Sequence, residues 1–160
     1  MDESPHRIHS VTLDDASIIR RTPEVEHERR VAMVDLTHSN RLRLLGEAGE
    51  RVAGPYALFI SVRDNRLTLR FTGSNGATQD TVLALAPFRG IIKDYFLMCE
   101  SYFEAIKHAP PDRIQTIDMA RRAVHNEGSE MLQRMLAEAM EMDFDSARRL
   151  FTLICVLHIK

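Results

Sequence analysis

The chain contains no tryptophan, only two cysteines, and no apolar run long enough to cross a bilayer. A spanning helix needs ~20 apolar residues, so no membrane segment is expected. Cys99 and Cys155 lie inside apolar segments and lack any metal-type spacing. They fit buried, reduced thiols in a cytoplasmic protein, and no metal site or cofactor is expected from them. Charge of one sign is also missing. With 21 basic and 23 acidic residues the net charge is −2, which gives no overall drive toward nucleic acid or acidic membranes. No glycine-rich phosphate loop is present, and no serine or cysteine nucleophile has a supporting motif. The first ten residues, MDESPHRIHS, have no apolar core of the kind a signal peptide needs.

What is present describes a folded chain. Hydrophobic content of 44% with 28% charge is ordinary for a domain that buries a core. We expect one domain over residues 1–160, with 1–6 disordered. The segment organising the rest is DFDSARRLFTLICVLH, residues 143–158. From Leu150 to Leu157 only Thr152 is not apolar, so a helix here would be apolar on every side and surrounded by protein. A core strand competes, because Phe, Ile, Val and Thr favour strands. Asp145, Ser146, Ala147 and two arginines read as a first helical turn and favour the helix, with Asp143 as its cap.

Other elements follow in order. Ile8 to Leu13 reads as a short strand. Thr22-Pro23-Glu24 starts a helix through about His38, with Asn40 as its stop. Arg41 to Leu45 is a weak strand, and Gly46 to Pro55 a loop. Tyr56, Leu58, Ile60 and Val62 alternate with their neighbours. An Asp64-Asn65 turn would set Val62 opposite Leu67, Ile60 opposite Leu69 and Leu58 opposite Phe71. A turn at Ser74–Ala77 leads to a strand from Thr78 to Leu85. A two-residue Asn75-Gly76 loop would set Val82 opposite Leu69 but Asp80 opposite Phe71, which argues for a longer turn. Phe88 to His108 is a long amphipathic helix. Asp112 with Gln115 reads as a capping box for a helix ending near His125. Asn126–Ser129 is a corner before a helix to Met140 that buries Leu132, Met135, Leu136 and Ala139. The fold class is α+β: an antiparallel meander of three to four strands, one face covered by about five helices, the C-terminal helix central.

Chemistry has three candidate seats. Arg148-Arg149 oppose the dipole of the buried helix, and Arg121, Arg122 and His125 lie on adjacent turns of another. Together they would form an anion site. The plainer reading pairs Asp118 with Arg122 and Asp145 with Arg149. His125 with Glu127 is a candidate acid–base pair, and a helix corner is the plainer account of the same residues. Glu24 to Arg30 resembles a zinc-type HExxH stretch, but Val31 stands where the second histidine belongs, and a solvated acidic turn explains it better. Lys93, Asp94, Tyr95, Glu100 and Tyr102 are candidates for lining a pocket. Arg63, Arg66 and Arg70 read as a solvated face on the side of the sheet away from the core. Phe59, Leu83 and Leu85 are expected on that same side, covered there by a second subunit. Met119, Met131, Met135, Met140 and Met142 are expected to fill core gaps.

RTPEVEHERRVA at 21–32, NRLTLRF at 65–71, APFRGIIKDYFLMCESYFEAI at 86–106, DMARRAVHNEGSE at 118–130 and DFDSARRLFTLICVLH at 143–158 together resemble a bacterial family catalogued as uncharacterised, UPF family 0262. The resemblance implies a small bacterial cytosolic protein and transfers no catalytic residue, cofactor or partner. From the residues themselves, a binding or regulatory domain for a small anion or a protein partner leads. It would be a homo-oligomer, with nucleic acid disfavoured. A small enzyme using His125 and Glu127 is the alternative.

Overall fold

The computed structural model describes residues 4–18 and 22–157. Period-two alternation builds its sheet. Strand β1 spans Ile8–Leu13, β3 Tyr56–Arg63, β4 Arg66–Thr72 and β5 Thr78–Ala84, in the order β1-β3-β4-β5. Asp64 and Asn65 both take positive φ (52° and 58°), a two-residue turn geometry these side chains tolerate. The turn fixes the register read from the sequence: Val62 pairs Leu67, Ile60 pairs Leu69 and Leu58 pairs Phe71. Strand β1 departs from a pure meander, because it joins the free edge of β3 in parallel. A parallel neighbour needs a crossover rather than a hairpin. The chain from 14 to 55 supplies it, so the sheet is mixed.

The β4–β5 turn is longer than two residues. Thr72 pairs Thr78, and the Gly73 N–H donates to Ala77 O at 2.8 Å. Asn75 Oδ1 accepts from the N–H of Ala53 and of Ala77. Leu69 therefore faces Thr81 rather than Val82, and Asp80 faces Arg70, which grips it through two bonds of 2.8 and 3.1 Å. A one-residue slip exchanges the faces of a strand. Leu83 and Leu85 accordingly lie in the core, while Phe59 and Val82 stay on the open face. Leu83 and Leu85 therefore do not share the open face with Phe59. Arg63 and Arg70 lie on that face as solvated pairs with Asp14 and Asp80.

Helix α1, Pro23–His38, is capped as expected: Thr22 Oγ1 accepts from the Val25 N–H at 3.3 Å, with Pro23 in the first turn. Asn40, just beyond it, is buried and ties α1 to β1. The stretch expected as a loop contains a short helix α2, Gly46–Arg51. Strand β2, Leu42–Leu44, pairs with a strand absent from the sequence reading, β6, Met140–Met142. Met140 is thus not the end of a helix, and together with Leu42, Leu44 and Met142 it is buried. Of the residues expected to be disordered, His6 accepts the Leu42 N–H at 3.0 Å, and residues 1–3 lie outside the described set.

Helix α3 spans Arg89–His108 and α4 spans Pro111–Met135. The expected corner at 126–129 does not exist, and α4 runs through it. Gly128 serves a different purpose: a Cβ there would sit 2.2 Å from Cζ of Phe151. The missing side chain lets α4 approach the next helix closely. The Asp112 capping box does not form either. Pro110 and Pro111 move the helix start forward, so Asp112 lies inside the first turn and Pro110 takes the cap position without a side-chain bond. Met135, expected in the core, faces solvent, as does Met119.

Helix α5, Phe144–Leu157, is the predicted central element. His158, the last residue of the predicted helix, lies outside the described residues. Asp143 Oδ1 accepts from the Ser146 N–H at 3.0 Å, which is the expected cap. Leu150, Phe151, Leu153, Ile154 and Cys155 are all buried, in one cluster with the inner face of the sheet. Helices α1 and α4 both pack on α5, and α3 packs on α4. No helix among the described residues is long and apolar enough to cross a membrane.

Candidate functional site

Four polar residues of α4 recur at helical spacing: Asp118, Arg121, Arg122 and His125. Asp118 binds both arginines, with Arg121 from three residues on and Arg122 at 3.1 Å from four. Arg121 is further fixed by its guanidinium lying 4.2 Å from the centre of the Tyr102 ring. Arg122 stays on the exposed flank. The Asp118–Arg122 pair predicted from spacing is therefore present. The Asp145–Arg149 pair is not, and among the described residues neither Arg148 nor Arg149 forms an ion pair.

His125 is 7% exposed, between the rings of Tyr95 (5.1 Å) and Phe151 (5.2 Å). Its Nε2 lies 2.8 Å from Thr152 Oγ1, whose hydroxyl donates to Arg148 O at 3.0 Å. A hydroxyl has one proton, so Thr152 accepts from His125, and the imidazole carries its hydrogen on Nε2. Among the described residues, Nδ1 of His125, Nε of Arg148 and Oδ1 of Asn126 are buried without a hydrogen-bond partner. Burial, then the charges of Arg148 and Arg121, push His125 down to about 4. Glu127 sits two residues on, a spacing that turns it to the other side of α4, where it is exposed. The structure brings Arg121, His125 and Arg148 toward one another. It leaves Arg122 and Glu127 on the surface, so no His125–Glu127 acid–base pair forms.

The His125 geometry carries a pH signature. The unfolded histidine takes its proton near 6.5 and the folded one only near 4. The unfolded state thus binds more protons inside that window, and stability falls as pH drops from about 6.5 to about 4. Thermal melts of wild type and His125→Phe across these pH values are expected to show a flatter profile for the variant. Equal slopes would contradict the buried neutral ring.

A cleft of about 1030 Å³ lies between α1 and α3, floored by Thr152, Cys155 and Val156 of α5. Helix α1 packs on α5 and α3 packs on α4, and the cleft lies between these two outer helices. Its body is apolar, from Val31, Ala32, Ile92, Phe96, Leu97 and Phe103. Lys93, Tyr95 and Glu100, foreseen as pocket residues, line it; Asp94 and Tyr102 do not. Its lips carry exposed charges, Glu28 and Asp35 on α1 and Arg89, Lys93 and Glu100 on α3. Arg121 is the one cation of the lining that is largely withdrawn from solvent, with 24% of its side chain exposed. The thiols of Cys99 and Cys155 and the Tyr95 hydroxyl are held protonated, chiefly by burial. Among the described residues no group of His, Cys, Asp and Glu side chains could hold a metal ion. The sequence could not reveal the cleft, because its walls come from residues 25–35, 89–103 and 152–156, with no shared motif.

A one-sided mixed sheet, a helical layer around a central helix and a lateral cleft define an α+β domain. The chain belongs to the bacterial family described as Uncharacterised protein family (UPF0262), which matches residues 5–160. It is 54% identical to a UPF0262 protein of Azorhizobium caulinodans over 159 residues, covering 98% of this chain and 96% of that one. A UPF0262 protein of Rhizobium johnstonii is 52% identical, with 99% and 98% covered. One from Roseobacter denitrificans is 50% identical, with 95% and 97% covered. No solved structure matches the chain.

Proposed function

We propose that this protein is a single-domain cytoplasmic binding protein, working as a homo-oligomer, whose site is the α1–α3 cleft. Its ligand class is an amphipathic anion, with a carboxylate or phosphate at Arg121 and an apolar body along Ile92, Phe96 and Val31. One observation carries the reading: a guanidinium largely out of water, in the wall of an otherwise apolar cleft. The volume, about 1030 Å³, is at the upper end of ordinary ligand sites. Asp118 stands behind Arg121 and is not part of the lining, so the cation reaches the cleft already oriented. Of the five anion-site candidates, this reading keeps Arg121 as a direct contact. Arg148 and His125 lie behind the wall, and Arg122 and Arg149 are not lining residues. Nucleic acid is disfavoured, because the arginines of the sheet are paired or solvated and the net charge is −2.

The test is titration with two anionic amphipathic probes, anilinonaphthalene sulfonate and dodecanoate. Arg121→Ala is expected to weaken both by about tenfold or more, the size of one charge-assisted contact. Arg122→Ala, which also removes a partner of Asp118 but lies outside the cleft, is expected to leave binding unchanged. Equal affinity for wild type and Arg121→Ala would refute the assignment. So would saturable binding that survives Phe96→Glu.

A further inference from the structure

The outer face of α3 carries its charges in blocks. Arg89 and Lys93 stand in the first two turns, and Glu100 and Glu104 stand in the second half, ahead of Lys107 and His108 in the last turn. All four are exposed. Among the described residues Arg89, Lys93 and Glu100 form no ion pair, and Glu104 has only a 3.7 Å contact with the exposed Lys107. Between the two charge blocks lies Leu97, 48% exposed. Helical spacing puts Arg89, Lys93, Leu97, Glu100 and Glu104 along one stripe. A stripe that is basic at Arg89 and Lys93, apolar at Leu97 and acidic at Glu100 and Glu104, with Lys107 beyond, complements over Arg89 to Glu104 one surface directly: itself, run in the opposite direction.

We propose that a second copy of this chain packs antiparallel along α3, about a two-fold axis between Phe96 and Leu97. That one axis places Lys93 against Glu100 of the other copy and Arg89 against its Glu104, each twice, because a two-fold contact is reciprocal. Leu97 meets its own counterpart at the centre. The three-residue ladder of contacts on either side of the axis spans roughly 10 Å of helix, at 1.5 Å per residue. Lys93, Leu97 and Glu100 also line the lip of the cleft, so the second copy lies along its mouth. The exposed charges of the stripe are thereby matched by opposite charges of the other copy. The inference rests on the homo-oligomer reading above and adds to it the surface, the axis and the pairs.

Analytical ultracentrifugation of the full chain tests it. Wild type is expected at twice 18.3 kDa. Lys93→Glu and Glu100→Lys each set like charges against one another twice and are expected to weaken association by about tenfold or more. The double variant Lys93→Glu with Glu100→Lys restores opposite charges and is expected to recover the dimer. All these side chains are exposed, so the fold is retained, and circular dichroism verifies that. A dimer indifferent to both single reversals, or a double variant no better than the singles, overturns this interface while leaving self-association standing. A wild type that remains 18.3 kDa at high concentration overturns the homo-oligomer reading and this inference with it.

Discussion

Gly128→Ala is expected to destabilise the protein by about 1–3 kcal/mol, although alanine is the better helix former by roughly 1 kcal/mol. The sign depends on one contact. A Cβ at 128 would come 2.2 Å from Cζ and 2.6 Å from Cε1 and Cε2 of Phe151, so the ring would have to move. The ring cannot move freely, because Phe151 is fully buried between His125 and Phe88. Close-packed interiors transmit such a displacement. Phe151→Ala, which leaves a cavity instead, is expected to cost about 3–5 kcal/mol. The decisive measurement is the pair: Gly128→Ala in a Phe151→Leu background should cost less than in wild type, because the clashing ring is gone. Denaturant unfolding of the four proteins gives the coupling. Additive costs would mean that the two helices do not meet at this point. A corner at 126–129 would predict something else, a modest loss at Gly128 that is independent of Phe151.

Asn40→Ala is expected to cost about 2–4 kcal/mol, from a single polar side chain. Asn40 is buried and makes three bonds: its Oδ1 accepts the Ile8 N–H at 2.7 Å, and its Nδ2 donates to Ile8 O at 2.9 Å and to Leu36 O at 2.7 Å. It thereby completes the end of α1 and holds the start of β1 with both backbone groups of Ile8. Removing the side chain leaves one buried donor and two carbonyls without their partner. Asn40→Asp sharpens the test. At neutral pH its carboxylate would face the two carbonyl oxygens with no proton to offer, so the loss should be at least as large. Burial among acceptors raises the folded pKa of that carboxyl, so stability should recover as pH falls toward it. Urea melts at pH 7 and pH 5 measure both effects. If Asn40→Asp is harmless at pH 7, the Nδ2 bonds to Ile8 O and Leu36 O do not hold this side chain.

Legibility in the sequence followed the range of the interaction. The β3–β4 register could be read because a two-residue turn and a period of two leave one alignment that buries all the large side chains. The α1 boundaries could be read because cap and proline act within one turn. Misreadings fell where distant chain decides. Asn126 and Gly128 look like a corner locally, and only Phe151 explains why a glycine is needed inside a helix. Met140 looks like a helical continuation until Leu42 and Leu44 offer a strand to pair with. Arg121 could be named from sequence as a candidate cation. Its cleft could not, because the cleft lies between two helices, α1 packed on α5 and α3 packed on α4, that are far apart in the chain.

The sequence by itself determined the α+β composition, the hairpin and the buried α5, because apolar periodicity and turn chemistry are local and strong. It also determined the Asp118–Arg122 pair, which needs only four residues of helix. The tertiary structure alone decided that β1 runs parallel, that α4 is unbroken, that His125 is sealed away from Glu127, and that Arg121 opens on a cleft. Each of these depends on which surfaces meet across tens of residues. There the free energy of packing outweighs the few tenths to one kcal/mol of local preference on which sequence reading relies.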